Sequence, residues 1–107
     1  MTRSYRSAVT LAVMLSLAGV VGFAQSGGEA TYKAKCQMCH GATGMADAPA
    51  GKAMKVKPIS DAEVKKLSEA QMIDAVKDGM GKMQPYKDKL SDAQIKDAVT
   101  YFRTFLK

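Results

Sequence analysis

Residues 36–40 read Cys36-Gln37-Met38-Cys39-His40, a C-x-x-C-H pattern that holds both cysteines and the single histidine of the chain. Two thiols three positions apart lie within about one helical turn, which spans 3.6 residues, with the imidazole next to the second. That spacing is the attachment signature of haem c. Each thiol can reach one vinyl group of the same porphyrin edge, and the following side chain swings beneath the ring to the iron. Three other chemistries use similar residues. A C-x-x-C pair can close a disulfide in an oxidising compartment or act as a thiol–disulfide redox centre. That centre normally sits in a strand-to-helix turn, and no alternating strand pattern follows the leader. A zinc site would need four ligands, and Cys36, Cys39 and His40 supply three.

The rest of the composition agrees with a small domain that needs help to form a core. The chain has 107 residues, 47% of them hydrophobic, with three Phe, four Tyr and no Trp. So short a chain is one domain at most, and its core is thin for a domain of this size. A large apolar ring held by two thioethers would supply the missing middle. Lys plus Arg number 16 against 10 Asp plus Glu, a formal charge of +6. The basic residues are interspersed with acids, which does not suggest a nucleic-acid binding run.

Ahead of the motif, Arg3 and Arg6 precede an uncharged run over residues 8–23 that ends in Gly22, Phe23 and Ala24. This layout predicts an export signal over residues 1–24, cleaved near Ala24, with residues 25–107 forming the domain. The run is short of the roughly 20 apolar residues that span a bilayer, so no stable membrane insertion is expected.

An iron held by His40 has a second axial position, and its occupant separates electron transfer from ligand chemistry. With no other histidine in the chain, methionine is the donor to look for. Met72, beside Ile73 and ahead of Val76, reads as core. Met80 and Met83 stand in a segment with Gly79, Gly81 and Pro85 that resists helix formation and can lay a thioether across a flat ring. Met83 is preferred because Pro85 stiffens the backbone behind it and Tyr86 brings an aromatic; Met80 stands second. An open sixth position would instead give a five-coordinate haem c protein with gas-binding or peroxidase-like activity.

Ser26 and Glu29 form an S-x-x-E capping box that predicts the start of a helix running to the motif, with Gly28, Tyr32 and Cys36 on one face. Residues 41–58, rich in Gly, Ala and Pro, read as a loop. A carbonyl near Pro49 or Pro58 is expected to accept the second ring N–H of His40. Ser60 and Glu63 predict a short helix. Ser68 with Gln71 and Ser91 with Gln94 are capping boxes for two longer ones. In the last helix Ile95, Val99, Phe102 and Leu106, widened by Ala98 and Phe105, form an apolar stripe. Its expected partner is the face of Gly28 and Tyr32.

The segments YKAKCQMCHGATG and GKMQPYKDKLSDAQIKDAVTYFR, with the leader and the late methionine loop, resemble the class I cytochromes c, especially the small bacterial monohaem members. The resemblance covers nearly all of the chain after the leader. It implies an all-α fold whose N- and C-terminal helices, around Tyr32 and Phe102, cross over one covalently bound haem. It also implies thioethers at Cys36 and Cys39, iron ligation by His40 and Met83, and an exposed haem edge lined by residues 80–86. The expected function is that of a periplasmic one-electron carrier, not an enzyme, and a monomer. Lys33, Lys35, Lys52, Lys55, Lys57, Lys82, Lys87 and Lys89 flank these segments and predict docking on redox protein partners with an acidic patch.

Overall fold

The computed structural model describes residues 23–106; the leader assigned to residues 1–24 lies, but for its last two positions, outside them. In chain order the helices are α1 (Phe23–Thr31), a five-residue π-turn (Tyr32–Cys36), α2 (Gln37–His40), α3 (Pro49–Ala53), α4 (Ala62–Lys65), α5 (Glu69–Asp78) and α6 (Asp92–Arg103). Among the described residues the sole β-type pairing is an isolated antiparallel bridge between Met80 and Met83. The fold is therefore all-α, as the sequence predicts.

The two long helices begin where their capping boxes stand. In α5 the Ser68 hydroxyl accepts from Gln71 N–H at 3.1 Å, and Gln71 Oε1 accepts from Ser68 N–H at 2.8 Å. Ser91 and Gln94 repeat the exchange at 3.1 and 2.9 Å ahead of α6. Each box satisfies two of the N–H groups that a helix start leaves without a partner.

Two helix starts differ from the expectation. Helix α1 is already formed at Phe23, so Ser26 lies inside it and does not cap it. The cap of α4 is Asp61, not Ser60: its carboxylate accepts from Glu63 N–H at 2.9 Å, a role an Asp side chain fills as readily as a Ser hydroxyl. A third departure lies in residues 41–58, where Pro49 occupies the first position of α3 and its fixed φ nucleates a short helix.

Helices α1 and α6 cross at Gly28. A β carbon there would land inside the contact radius of the Asp97 carbonyl oxygen, so the absence of a side chain is what lets the two backbones touch. One turn on, Tyr32 is 1% exposed and stacks on Phe102, with ring centroids 5.8 Å apart. Tyr101 and Phe105 close around the same ring at 5.3 and 5.7 Å. Phe102 and Phe105 thus carry the predicted partnership of the α6 stripe with the face of Gly28 and Tyr32. The earlier part of the same stripe turns to α5: Ile95 and Val99 join Met72 of α5 and Leu90 in a buried cluster, against which Phe102 also packs. Full burial of such side chains contributes about 1.5–3 kcal/mol each. Met72 is core, as its sequence context indicates, and its sulfur also accepts from the Arg103 guanidinium at 3.6 Å.

Candidate haem site

The attachment motif sits at the end of a helix whose winding changes just before it. Residues Tyr32–Cys36 form a π-turn, in which the Gln37 N–H reaches back to the Tyr32 carbonyl. Such turns are wider than an α-turn and recur at functional sites. The simple i, i+4 register that would align Cys36 with Gly28 and Tyr32 is therefore broken. Cys36 is half-buried, whereas Gly28 and Tyr32 are buried.

Past the π-turn, α2 carries Gln37, Met38, Cys39 and His40 and stops at Gly41, whose φ of 80° and ψ of 164° suit glycine alone. The Tyr32 hydroxyl donates to the Gly41 carbonyl at 2.5 Å and so fixes the exit from α2. The His40 carbonyl accepts from Ala46 N–H at 2.8 Å, closing the following turn. Helix α3 seats Gly51 directly on the Cys39 carbonyl. The backbone of the motif is thus gripped from three sides while its side chains remain uncommitted.

Cys36 and Cys39 are both free thiols. Burial, with a smaller contribution from neighbouring Cys39, pushes the Cys36 thiol up to about 11, so it stays protonated at neutral pH. The His40 ring lies edge-on to Phe102, with centroids 5.2 Å apart. Burial holds its pKa below the ordinary value and keeps the imidazole neutral, the form that ligates a metal. Its Nδ1 is buried and has no hydrogen-bond partner.

The expected carbonyl acceptor near Pro49 or Pro58 is not found. Local turns occupy the carbonyls of that segment: Ala48 accepts from Lys52, Ala50 from Met54, Gly51 from Val56 and Pro58 from Asp61. A buried imidazole with no protein hydrogen bond at Nδ1 is costly in a purely structural role, which fits a ring that serves a bound group. Two free thiols in the same turn fit covalent attachment of haem. The rival chemistries find less support. No strand leads into the motif, and among the described residues no three His, Cys, Asp or Glu side chains gather as a metal cluster would require.

The methionine segment follows α5. Gly79 ends that helix with φ 79° and ψ 161°, and Met80 and Met83 then exchange two backbone hydrogen bonds, at 3.1 and 2.9 Å, around Gly81 and Lys82. Gly81, at φ 58°, takes the first corner of this two-residue hairpin. Met83 is half-buried and Met80 is 58% exposed. The chain then returns along α5: Tyr86 N–H donates to the Val76 carbonyl at 2.9 Å and Lys87 N–H to the Lys77 carbonyl at 3.3 Å. These bonds satisfy carbonyls that the helix end leaves open. The Tyr86 hydroxyl also donates to the Lys35 carbonyl at 3.3 Å, joining the methionine loop to the π-turn. The signal for that tether in the sequence was only an aromatic after a proline.

All eight lysines singled out from the sequence are exposed. Lys33 is paired with Glu29 at 2.7 Å, and Lys57 with Glu63. Lys89 is held by Gln84.

A helical shell with free C-x-x-C-H side chains on one turn and a methionine hairpin tied to that turn defines the class of small c-type cytochromes. Solved structures agree. The c-type cytochrome KustC0563 aligns with a TM-score of 0.67 and 30% identity, over 75% of this chain and 98% of that one. A tyrosine-to-phenylalanine mutant of Kustc0563 aligns with a TM-score of 0.65 and 29% identity, over 73% and 96%. No curated protein matches. Residues 24–102 match the family described as cytochrome c oxidase, cbb3-type, subunit III, and the chain belongs to that family of cytochrome c domains. Membership carries a covalently bound haem c and a general role in electron transfer. Among the described residues no helix is long and apolar enough to cross a membrane.

Proposed function

We propose that this cytochrome is an exported, periplasmic one-electron carrier with a single haem c, tethered through Cys36 and Cys39 and ligated by His40 and Met83. The observation that carries the reading is the placement of two free thiols and a buried, unpartnered imidazole nitrogen on one turn. When bound, haem c supplies a ferric/ferrous couple that passes one electron without bond making. The protein's part is to hold the ligands through that change. Phe102 packs edge-on against the His40 ring, the Tyr32 hydroxyl fixes the exit from α2, and two backbone bonds hold the hairpin that carries Met83. A thioether ligand favours ferrous iron and raises the potential relative to a second imidazole.

Met83 is preferred over Met80 because it is the more buried of the pair and lies next to the segment anchored by Tyr86. The exposed lysines around the two motif segments favour docking on a redox protein with an acidic patch, and a monomeric working state suits such a shuttle.

The test is the absorption spectrum of protein matured in a host with a haem-attachment system. The ferric form should show the weak long-wavelength band of sulfur-to-iron charge transfer, lost in Met83→Ala and kept in Met80→Ala. A high-spin spectrum with ready carbon monoxide binding in the unaltered protein would move it to ligand chemistry.

A further inference from the structure

The segment behind Met83 is held by more than one contact, and the contacts form a line. The Lys89 ammonium donates to Gln84 Oε1 at 2.7 Å. The Gln84 amide donates to the Tyr86 hydroxyl at 3.4 Å, and that hydroxyl donates to the Lys35 carbonyl at 3.3 Å. Lys89 also stands 5.5 Å over the Tyr86 ring, whose face attracts a cation. Hydrogen bonds in series polarise one another, and here a charged donor heads the series. The line starts just before α6, passes through the two residues that bracket Pro85, and ends in the π-turn immediately ahead of Cys36.

Past Pro85 the backbone is pinned to α5 by the Tyr86 and Lys87 N–H groups, but between Met80 and Pro85 few contacts restrain the loop. Gln84 and Pro85 are exposed, and the hairpin itself rests on the two bonds between Met80 and Met83. Tyr86, partly buried, anchors it by packing against the cluster of Met72, Leu90, Ile95 and Val99. A thioether is a weak ligand on a flexible stem, so its residence on iron depends on how firmly the backbone behind it is placed.

We propose that the series Lys89–Gln84–Tyr86–Lys35 is a latch that keeps the Met83 loop closed on the attachment turn, with Tyr86 as the positioning residue. This rests on the reading of Met83 as sixth ligand. The latch sets how often the thioether leaves the iron, and thereby how readily an outside ligand enters.

The experiment uses ferric holoprotein with imidazole as the entering ligand, which binds only when the sixth position opens. Tyr86→Phe keeps the ring and its packing and removes the hydroxyl. Loss of one hydrogen bond of ordinary strength predicts a roughly two- to tenfold rise in imidazole affinity. The charge-transfer band should also disappear at a lower guanidinium concentration than the helical circular dichroism. Gln84→Ala, at an exposed position, should give a smaller rise of the same sign and serves if Tyr86→Phe matures poorly. Met83→Ala sets the open limit. An unchanged imidazole affinity in both latch variants overturns the proposal. So does a Tyr86→Phe protein in which band and dichroism shift together with no gain in affinity, since that marks a purely structural tyrosine. If the band survives Met83→Ala, the ligand assignment itself has failed and the latch falls with it, a result distinct from either of the others.

Discussion

Gly41 and Gly79 adopt the same backbone conformation, φ 80° and ψ 164° at the first and φ 79° and ψ 161° at the second. One ends the helix that carries His40, and the other ends the helix that leads to Met83. That region of φ/ψ space is closed to residues with a β carbon, at a cost of about 1–3 kcal/mol. Both candidate ligands are therefore placed by a sharp stop of a helix. Alanine at either position should lower the melting temperature of the holoprotein, by about 4–8 °C for each kcal/mol lost. The two variants should differ at the iron. A β carbon on Gly79 would also press on the Met83 carbonyl, at 2.8 Å, so Gly79→Ala should weaken the sulfur charge-transfer band as well.

The crossing of α1 and α6 leaves no room for a side chain at Gly28. Gly28→Ala forces the backbones apart, and overpacking of this kind costs about 1–3 kcal/mol. Guanidinium unfolding followed by circular dichroism should show a lower midpoint with an unchanged slope. A midpoint equal to that of the parent protein would mean that the two helices do not meet there.

Tyr32 offers a test in pH. Burial holds its phenol well above the ordinary value of 10, with smaller contributions from Cys36, Tyr101 and Asp47. The folded state keeps this proton while the unfolded chain releases it near pH 10. Stability from this group is whole below about pH 10 and declines as pH rises further, by up to about 1.4 kcal/mol per pH unit. Tyr32→Phe should flatten that decline. It should also lower stability at neutral pH by about 1–3 kcal/mol, because the Gly41 carbonyl loses a buried donor.

Much of this fold is legible in the sequence because the signals are local. Ser68 with Gln71 and Ser91 with Gln94 each carry a complete capping box within four residues, and both are formed as read. In the α6 stripe Phe102 finds the predicted partner in Tyr32, while Ile95 and Val99 pack with Met72 of α5 and Leu90. The π-turn is different: Tyr32, Lys33, Ala34, Lys35 and Cys36 contain no residue that demands five-residue winding, and the turn is fixed by what surrounds it. Pro49 stands in a stretch whose composition reads as loop, although proline suits the first position of a helix equally well. The acceptor expected for His40 is absent for a related reason. A carbonyl can be located from sequence only if its competing donors are known, and those of Lys52, Met54, Val56 and Asp61 appear only once the chain has folded. In the site itself, Cys36, Cys39 and His40 stand on one turn as their spacing requires, while the link from Tyr86 to Lys35 joins segments far apart in the chain.

Removal of the α6 cap gives a further check. Ser91→Ala strips the hydroxyl from Gln94 N–H and should cost about 0.5–2 kcal/mol, seen as a lower thermal midpoint. The haem spectrum below that midpoint should not change, since Ser91 is exposed and the capping exchange involves only the helix start.

Electrostatic docking can be probed without a natural partner. Oxidation of the ferrous protein by the anion hexacyanoferrate(III) should slow as sodium chloride rises, because screening removes the attraction of the lysine surface. Lys82→Glu, which reverses an exposed charge in the methionine hairpin, should slow it by roughly twofold or more at low salt. The same change at Lys33, already paired with Glu29, should have less effect. Rates that ignore salt would place electron exit away from this surface.

Gly28 and Asp97 lie far apart in the chain, so the contact between α1 and α6 closes a long loop. The loop it closes holds nearly the whole domain, and the entropy of that closure must be met before the Tyr32 and Phe102 rings can stack. The C-terminal helix is thus the clasp of the domain, and its hold on α1 joins the Tyr32 ring to the end of the chain that carries Phe102.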